Sequence, residues 1–212
     1  MRTLPILFNT EMVQAILYGL KTCTRRLVKF LPGENPKWTG YVKDGLMLYN
    51  GKNEPCIREA PYQPGDIMYV RETWGEGYEE GTYIYKADDK LANLPAFKES
   101  SKILYHPSIH MPKEAARIWL KVTDVRVERL QDITYNGALR EGAQGIRCDH
   151  VALGEHGCTD CMNTGWIEPP VVEFMQIWDS TIKKSDIDRY GWDANPWVWV
   201  VEFERCEKPE LT

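Results

Sequence analysis

The sequence predicts an α+β fold: a mixed β-barrel with flanking helices and a small Cys/His insert. Apolar and polar residues alternate from Ala116 to Leu130, as expected for a long half-buried strand. Helical spacing of apolar residues is confined to a few segments, chiefly 10–20 and 171–182. The predicted strands follow one another in a run, and this order argues against a doubly wound parallel sheet.

The N-terminal part predicts a strand, a helix and a second strand. PILF at 5–8 is a short apolar run, and the helix that follows has Thr10 or Asn9 as its cap. Gly19 weakens this helix near its end. Residues 24–30 then predict a strand. Two segments predict loops, ENPKWTG and NGKNEP.

The rest of the chain predicts three more strands and two helices. Pro64, Gly65 and Asp66 signal a turn before a strand over 67–74, and residues 82–88 predict its neighbour. A short helix over 132–143 has Asp132 or Thr134 as its cap. After the helix at 171–182, the chain closes with a strand over 196–206.

Composition and charge favour a globular protein of the cytoplasm. The chain has 212 residues, long enough for one domain with an insert, and no apolar run approaches the roughly 20 residues of a membrane span. Residues 1–20 lack the layout of a signal peptide. The net charge of −5 argues against a surface coated for long nucleic acids, although six cations and one acid between Lys21 and Lys43 form a local basic patch.

Four segments together resemble the ASCH domain family, which is related to the PUA domains that bind RNA. They are PILF with its helix, GLKTCTRR at 19–26, QPGDIMYVRETW and WVWVVEFE. The family has a small β-barrel and a Gly-x-Lys-x-x-x-x-Arg run after its first helix, here Gly19, Lys21 and Arg26. The resemblance implies one PUA-like domain over 1–212, with only about 143–168 outside the match. PSIHMPKEAARIWLKV and GWDANPWVWVVEF resemble a bacterial and phage-borne subset.

The resemblance also implies an activity. One branch of the family hydrolyses the amide of N4-acetylcytidine with Lys, Thr and Glu, and the matching residues here are Lys21, Thr24 and Glu72. Many members carry a Glu between the Lys and the Arg, where this chain has Cys23, Thr24 and Arg25. The prediction is therefore a hydrolase acting on an N-acylated pyrimidine nucleoside, with the acyl group left open.

Amide hydrolysis needs a nucleophile, a proton carrier and support for the oxyanion. Thr24 follows Lys21 by three residues, so both side chains are expected on one side of a single turn. Lys21 acts as a base only if burial lowers its pKa from about 10.4 toward neutrality; charged, it polarises the carbonyl. Glu72 either orients Lys21 or carries a proton to the leaving amine. The roles stay open at this point.

Four further residues are predicted to bind substrate: Arg25, Arg26, Arg71 and Trp74. Arginines hold anions or nucleobase carbonyls bidentately, and a tryptophan after a strand offers a face for base stacking. Simpler interpretations are a salt bridge of Glu72 with Arg25, Arg26 or Arg71, and a core position for Trp74. The alternative functions are a module that binds RNA or a modified base without turnover, and a ribonuclease.

The insert predicts a zinc site. Cys158 and Cys161 form a Cys-x-x-Cys pair with Cys148 and His150 upstream, a spacing suited to tetrahedral zinc in a structural role. CTDCMNTGW also resembles half of the repeat in J-protein zinc modules. His156 is the alternative fourth ligand, and a reduced, metal-free loop is the alternative to the site.

Overall fold

The computed structural model describes residues 1–34, 41–43, 47–50, 52–77, 79–88, 104–149 and 164–209. The strands are β1 (Thr3–Leu7), β2 (Cys23–Leu27), β3 (Tyr41–Lys43), β4 (Met47–Tyr49), β5 (Ile67–Arg71), β6 (Trp74–Glu76), β7 (Tyr83–Tyr85), β8 (Trp119–Arg129), β9 (Ile146–Arg147), β10 (Trp166–Glu168) and β11 (Trp197–Cys206). The helices are α1 (Thr10–Leu17), α2 (Tyr135–Arg140), α3 (Pro170–Thr181) and α4 (Ile187–Tyr190). None of these helices is both long and apolar enough to cross a lipid bilayer.

A mixed sheet of five strands, with few helices, confirms the α+β class. The strand order is β1-β5-β8-β11-β2, with β1 parallel to β5, β8 antiparallel to β5, and β2 antiparallel to β11. Three two-stranded pairs stand beside it: β3 with β4, β6 with β7, and β9 with β10. Within the residues that the structure describes, the five strands form an open sheet and not the closed barrel that the sequence predicted. Alternation along a strand reports which face is buried, but it carries no information about closure.

By internal contacts the chain divides into two compact units, and β8 and β11 contribute residues to both. Unit 1 comprises Met1–Gly19, Tyr62–Thr123 and Phe203–Thr212. Its helix α1 buries Val13 and Ile16, and the Asn9 side chain caps it by accepting from the Met12 amide at 2.8 Å. One apolar cluster of this unit consists of Ile67, Trp74, Met111, Ala115, Ala116 and Trp119.

Unit 2 comprises Leu20–Pro61 and Asp124–Glu202. Thr134 caps its helix α2 by accepting from the Gly137 amide at 3.0 Å, and Pro170 opens α3 at a position where a missing N–H has no cost. The apolar core under α2 and α3 consists of Leu130, Ile133, Ala138, Ala143, Phe174, Trp178, Val198 and Val200. This core lies on the side of the sheet to which Arg25 of β2 points, since the Arg25 guanidinium lies over the ring of Phe174.

Candidate functional site

A buried ion pair between Lys21 and Glu141 is the centre of the candidate site in unit 2. The chain pairs at this point, because Lys21 and Glu141 form an isolated antiparallel bridge and the Thr22 amide donates to the Arg140 carbonyl at 2.8 Å. The Lys21 Nζ lies 2.5 Å from Glu141 Oε2 and 2.8 Å from the Glu141 carbonyl oxygen. Only 2% of Lys21 and 7% of Glu141 are exposed. An ammonium and a carboxylate are thus held together almost out of water.

Arg25 binds the other oxygen of the same carboxylate. Its Nη1 lies 3.1 Å from Glu141 Oε1, while its Nη2 lies 2.6 Å from Glu128 Oε1. The guanidinium also lies over the Phe174 ring, 5.6 Å from the centroid. Burial lowers the pKa of Arg25, but Glu141 and the neighbouring Cys23 and Glu128 outweigh burial and raise it. Two cations and two carboxylates therefore compensate one another in the interior of unit 2.

This network continues to the surface through Glu202. Arg126 Nη1 lies 2.7 Å from Glu202 Oε1, and Arg140 Nη2 lies 2.6 Å from Glu202 Oε2. Arg126 also pairs with Glu128 at 3.4 Å, which connects the exposed arginines to the buried four charges. The hydrogen bonds of Arg140 hold the pKa of Glu202 below its usual range, although partial burial opposes them. Glu202 is therefore an anion at neutral pH.

Gly137 allows α2 to lie close to the buried charges. A Cβ at this position would come within 3.3 Å of the Arg25 Nη2 atom and 3.2 Å of the Ile133 side chain. The Gly137 carbonyl oxygen is also the acceptor nearest the Cys23 thiol, at 3.9 Å from Sγ. Burial raises the pKa of the Cys23 thiol to about 12, and Glu141 adds to this effect. The thiol is thus protonated, and it is not a nucleophile here.

Thr24 points away from the buried charges. Residues 23–27 form a strand, in which successive side chains alternate between the two faces. Cys23 and Arg25 both face Glu141 and α2, so Thr24 between them faces the other side of the sheet, where its partner in register is Val201. It is 3% exposed. The sequence suggested one turn with Lys21 and Thr24 on the same side, but Thr24 lies in a strand. Lys21 shares the Glu141 carboxylate with Arg25 instead.

Arg26 shares the Thr24 side of β2 by the same alternation. It is half-buried, and its partner in register on β11 is Trp199. The strand thus separates the two arginines that the sequence placed in one substrate-binding set: Arg25 belongs to the buried network, and Arg26 lies on the opposite face.

Glu72 belongs to unit 1, where Arg117 holds it bidentately. Arg117 Nε and Nη2 lie 2.9 and 3.0 Å from the two Glu72 oxygens, and Arg117 Nη1 reaches Asp88 at 2.5 Å. The guanidinium stacks on the Tyr85 ring, 3.9 Å from its centroid. Glu72 is 1% exposed; burial raises its pKa, and Asp88 adds to this, while Arg117 opposes the shift without cancelling it. Glu72 thus forms a salt bridge, but its partner is Arg117 and not Arg25, Arg26 or Arg71, which the sequence suggested.

The raised pKa of Glu72 predicts a pH-dependent stability difference between the wild type and Glu72→Gln. A carboxyl whose pKa is raised in the folded state stabilises the fold below its unfolded pKa of about 4.5, and this contribution is lost as the pH rises through the folded pKa. The free energy of unfolding of the wild type minus that of Glu72→Gln should therefore fall between pH 4 and pH 7. Urea unfolding at several pH values measures it.

The exposed carboxylate of Glu76, four residues further along the chain, provides the control for this measurement. The difference between the wild type and Glu76→Gln should change much less over the same pH range. A difference for Glu72→Gln that rises with pH would mean that Arg117 outweighs burial, and the direction of the shift given above would be wrong.

Arg71 and Trp74 are also placed in unit 1. Arg71, the last residue of β5, donates from Nε to the Met111 carbonyl at 2.9 Å and from Nη2 to the Ile109 carbonyl. Trp74 begins β6 inside the apolar cluster, between Tyr83 at 5.7 Å and His106 at 5.2 Å, ring centroid to ring centroid. Its indole Nε1 is buried and has no hydrogen-bond partner among the described residues. Trp74 therefore packs as a core residue, and its predicted role in binding stays a prediction.

The structure contradicts the prediction of a structural zinc ion. Within the described residues, no group of three or more His, Cys, Asp or Glu side chains is arranged to hold a metal ion. Cys148 is buried after β9, with its amide donating to the Gly165 carbonyl at 3.2 Å. His150, Cys158 and Cys161, and the alternative His156, lie outside the described residues. The spacing of cysteines in a sequence gives the reach of the ligands but not their convergence, and convergence is what a site requires.

The sequence reasoning missed the partners of the predicted residues in the ionic clusters, namely Glu141, Glu128 and Arg117, and also the outer members Asp88, Arg126, Arg140 and Glu202. Glu141 follows the last residue of α2, 120 positions after Lys21, and Arg117 lies 45 positions after Glu72. Periodicity cannot pair residues at such separations. The sequence contained one weak indication of the position of Glu128. The alternation along the strand 116–130 places Glu128 on the face opposite Val127.

Comparison of the chain with models of protein families, with curated proteins and with solved structures found no match. The resemblance to the ASCH family thus rests on the sequence segments quoted above, and the function follows below as a proposal.

Proposed function

We propose that the protein hydrolyses the amide of an N-acylated pyrimidine nucleoside, with N4-acetylcytidine as the reference substrate. The observation that carries this proposal is the Lys21–Glu141 ion pair, buried in the GLKTCTRR segment with its charges 2.5 Å apart. Burying such a pair is costly and contributes little net stability, and buried charged groups with specific partners are candidates for functional sites.

The chemistry assigned to the pair follows from its charges. A lysine held against a carboxylate is a cation and a hydrogen-bond donor, so Lys21 polarises the amide carbonyl and stabilises the oxyanion. Glu141, the carboxylate of the pair, takes a proton from the attacking water. The oxygen of this water bonds to the carbonyl carbon, the C–N bond breaks, the acyl group leaves as the carboxylic acid, and the proton passes from Glu141 to the pyrimidine amine.

The family resemblance assigns Thr24 as the hydroxyl nucleophile and Glu72 as a proton carrier, and these roles stay predictions. The hydrolysis step uses neither residue, because Thr24 faces away from the Lys21–Glu141 pair and Glu72 belongs to unit 1. Both are buried polar residues, which supports a function beyond surface solvation. Their roles are tested separately from that of the Lys21–Glu141 pair, because each can be replaced without touching the pair: Thr24→Val keeps the shape, and Glu72→Gln keeps one acceptor.

Binding without turnover is the second candidate, and one observation favours it. Lys21 and Glu141 are almost fully enclosed, which suits a rigid support under a recognition surface as well as it suits a reaction centre. The exposed arginines at the edge of the network, Arg126 and Arg140, would then contact the ligand while the buried pair holds them through Glu141, Glu128 and Glu202.

The experiment incubates the purified chain with N4-acetylcytidine and follows the formation of cytidine and acetate by chromatography. 2′,3′,5′-Tri-O-acetylcytidine serves as the control, because release of acetate from it would indicate an esterase instead. Binding of the nucleoside is measured in parallel by calorimetry. Turnover of the amide alone supports the hydrolase; binding with no product supports the recognition module and contradicts the hydrolase.

A further inference from the structure

Unit 2 also contains a groove that takes no part in the proposed hydrolysis. Its volume is about 1010 Å³, as large as a pocket for a drug-sized ligand. It extends along the segment between α3 and β11 and reaches the residues that follow β2. The aromatic residues in its wall are Phe30, Tyr190, Trp192 and Trp197, none of them fully buried.

Arg129 and Trp197 form a stacked pair in this groove. The guanidinium carbon of Arg129 lies 4.4 Å from the centroid of the Trp197 ring. Its orientation is fixed, because Nη1 donates to the Asn195 carbonyl at 3.0 Å and the Asn195 side chain accepts from the Gln131 amide at 2.9 Å. Asn195 adopts the left-handed conformation, with φ of 44°, that turns its carbonyl to this position.

Arg129 differs from the arginines of the ionic clusters. Arg25, Arg117 and Arg140 each bind a carboxylate, whereas Arg129 has no carboxylate within 4.0 Å in the part of the chain that the structure describes. Burial lowers the pKa of Arg129, and the more distant Asp132 only partly opposes this shift. A desolvated guanidinium with donors left over in a groove is the arrangement that recognises an acceptor edge on a ligand.

The charges of the groove decide what kind of ligand fits. Arg129 and Arg189 are its cations, whereas Asp179, Asp188 and Asp193 are its anions, so the lining has no positive excess that would attract a chain of phosphates. Asp179 is already occupied by the Trp192 amide at 2.8 Å. An uncharged planar ring with acceptors along one edge matches both the exposed aromatic faces and the unpaired donors.

We propose that this groove binds a nucleobase, which accepts hydrogen bonds through its ring edge from the in-plane donors of Arg129 and stacks on the aromatic wall of the groove at Trp197. Bases stack both on aromatic side chains and on guanidinium planes. The base comes either from a free nucleoside or from a nucleotide of a single strand, since the chemistry is the same. The inference goes beyond the proposed hydrolysis, because the groove adjoins the end of β2, roughly 20 Å along the strand from Lys21.

Calorimetric titration of the full chain tests this, with cytidine and guanosine as free nucleosides and a five-nucleotide single-stranded RNA as the second source. Arg129→Met keeps the aliphatic packing and removes the planar donors, and Trp197→Leu removes the stacking surface. Each variant should bind the probe about 5- to 100-fold more weakly than the wild type, the range expected for one stacked base. Arg129→Lys should also bind weakly, because an ammonium cannot replace the planar stack.

Arg147→Met is the matched control, since Arg147 also stacks on a tryptophan, Trp166 at 4.8 Å, but outside the groove. It should bind like the wild type. Circular dichroism checks each fold, and Arg129→Met decides the question if Trp197→Leu does not fold. The proposal is overturned by a wild type that binds none of the probes at millimolar concentration or by a folded Arg129→Met with unchanged affinity. It is also overturned by binding confined to RNA that disappears steeply with salt, since this would indicate phosphate contacts.

Repeating the titrations with the Lys21→Met variant distinguishes a failure of this inference from a failure of the proposed hydrolysis. Nucleobase binding that survives this substitution supports the groove as an independent site. Binding that is lost with Lys21 but unaffected by Arg129→Met places the ligand at the Lys21 end of β2 and overturns the proposal, whatever the outcome of the hydrolysis assay.

Discussion

Replacing Arg25 with methionine should lower the free energy of unfolding by about 3–5 kcal/mol, the loss typical of removing one partner from a buried ion network. Methionine fills a similar volume and keeps the contact with Phe174. What it cannot replace is the positive charge between Glu141 and Glu128, both of which lie within 3.1 Å of the guanidinium. Urea denaturation at neutral pH, with the slope of the transition compared with that of the wild type, measures the change.

Two further variants make this result specific. Arg126→Met removes an arginine from the exposed part of the same network, and its cost should be about 1 kcal/mol or less, as for surface pairs. The double variant Arg25→Met/Glu141→Gln should lose less than the sum of its single variants, because the second substitution removes the carboxylate that the first leaves unpaired. Equal losses for Arg25→Met and Arg126→Met would show that the buried network is not what stabilises unit 2.

Lys21→Met should reduce the turnover of N4-acetylcytidine by about 10²-fold or more, the effect of losing one oxyanion-stabilising group. The burial of Lys21 changes the design of this experiment. The Lys21 side chain is enclosed, and its loss leaves Glu141 with one cation fewer. A loss of stability is therefore expected together with the loss of turnover, and rates must be expressed per folded molecule.

The control for this prediction is Lys29→Met, which removes an exposed lysine two residues after β2 and should leave turnover unchanged. Lys21→Arg keeps a cation near Glu141 and should keep most of the stability, with turnover still reduced because a guanidinium is larger. Full activity in folded Lys21→Met would remove Lys21 from the reaction and would leave Thr24 and Glu72 as the remaining predicted groups.

The elements of the fold could be predicted from the sequence because their signals are local. The sequence left two candidates for each N-cap, Thr10 or Asn9 for α1 and Asp132 or Thr134 for α2. In the structure the caps are Asn9 and Thr134. The long alternation that ends at Leu130 became β8. Short elements were not predicted. The helix α4, for example, has four residues, and a single turn is too short to show a period in its apolar residues.

The candidate site could be predicted only in part. Lys21 was assigned to the site through the resemblance to the ASCH family and Arg25 as a neighbouring arginine able to bind a ligand, and the structure brings both to one carboxylate. That carboxylate, Glu141, was invisible to sequence reasoning, since nothing local joins positions 120 residues apart. The face of Thr24 was predicted wrongly for a different reason. Spacing of three residues was interpreted with helical geometry, and in a strand the same spacing places side chains on opposite faces.

The burial of Cys23 has a kinetic consequence. Its thiol lies under α2 with a pKa of about 12, so the thiolate that reacts with alkylating agents is scarce and also out of their reach. Modification of this sulfur has to wait until β2 and α2 separate and the four charges around Lys21 and Arg25 meet water. The rate at which Cys23 reacts therefore reports on the opening of the network, because only molecules in the locally unfolded state expose this sulfur.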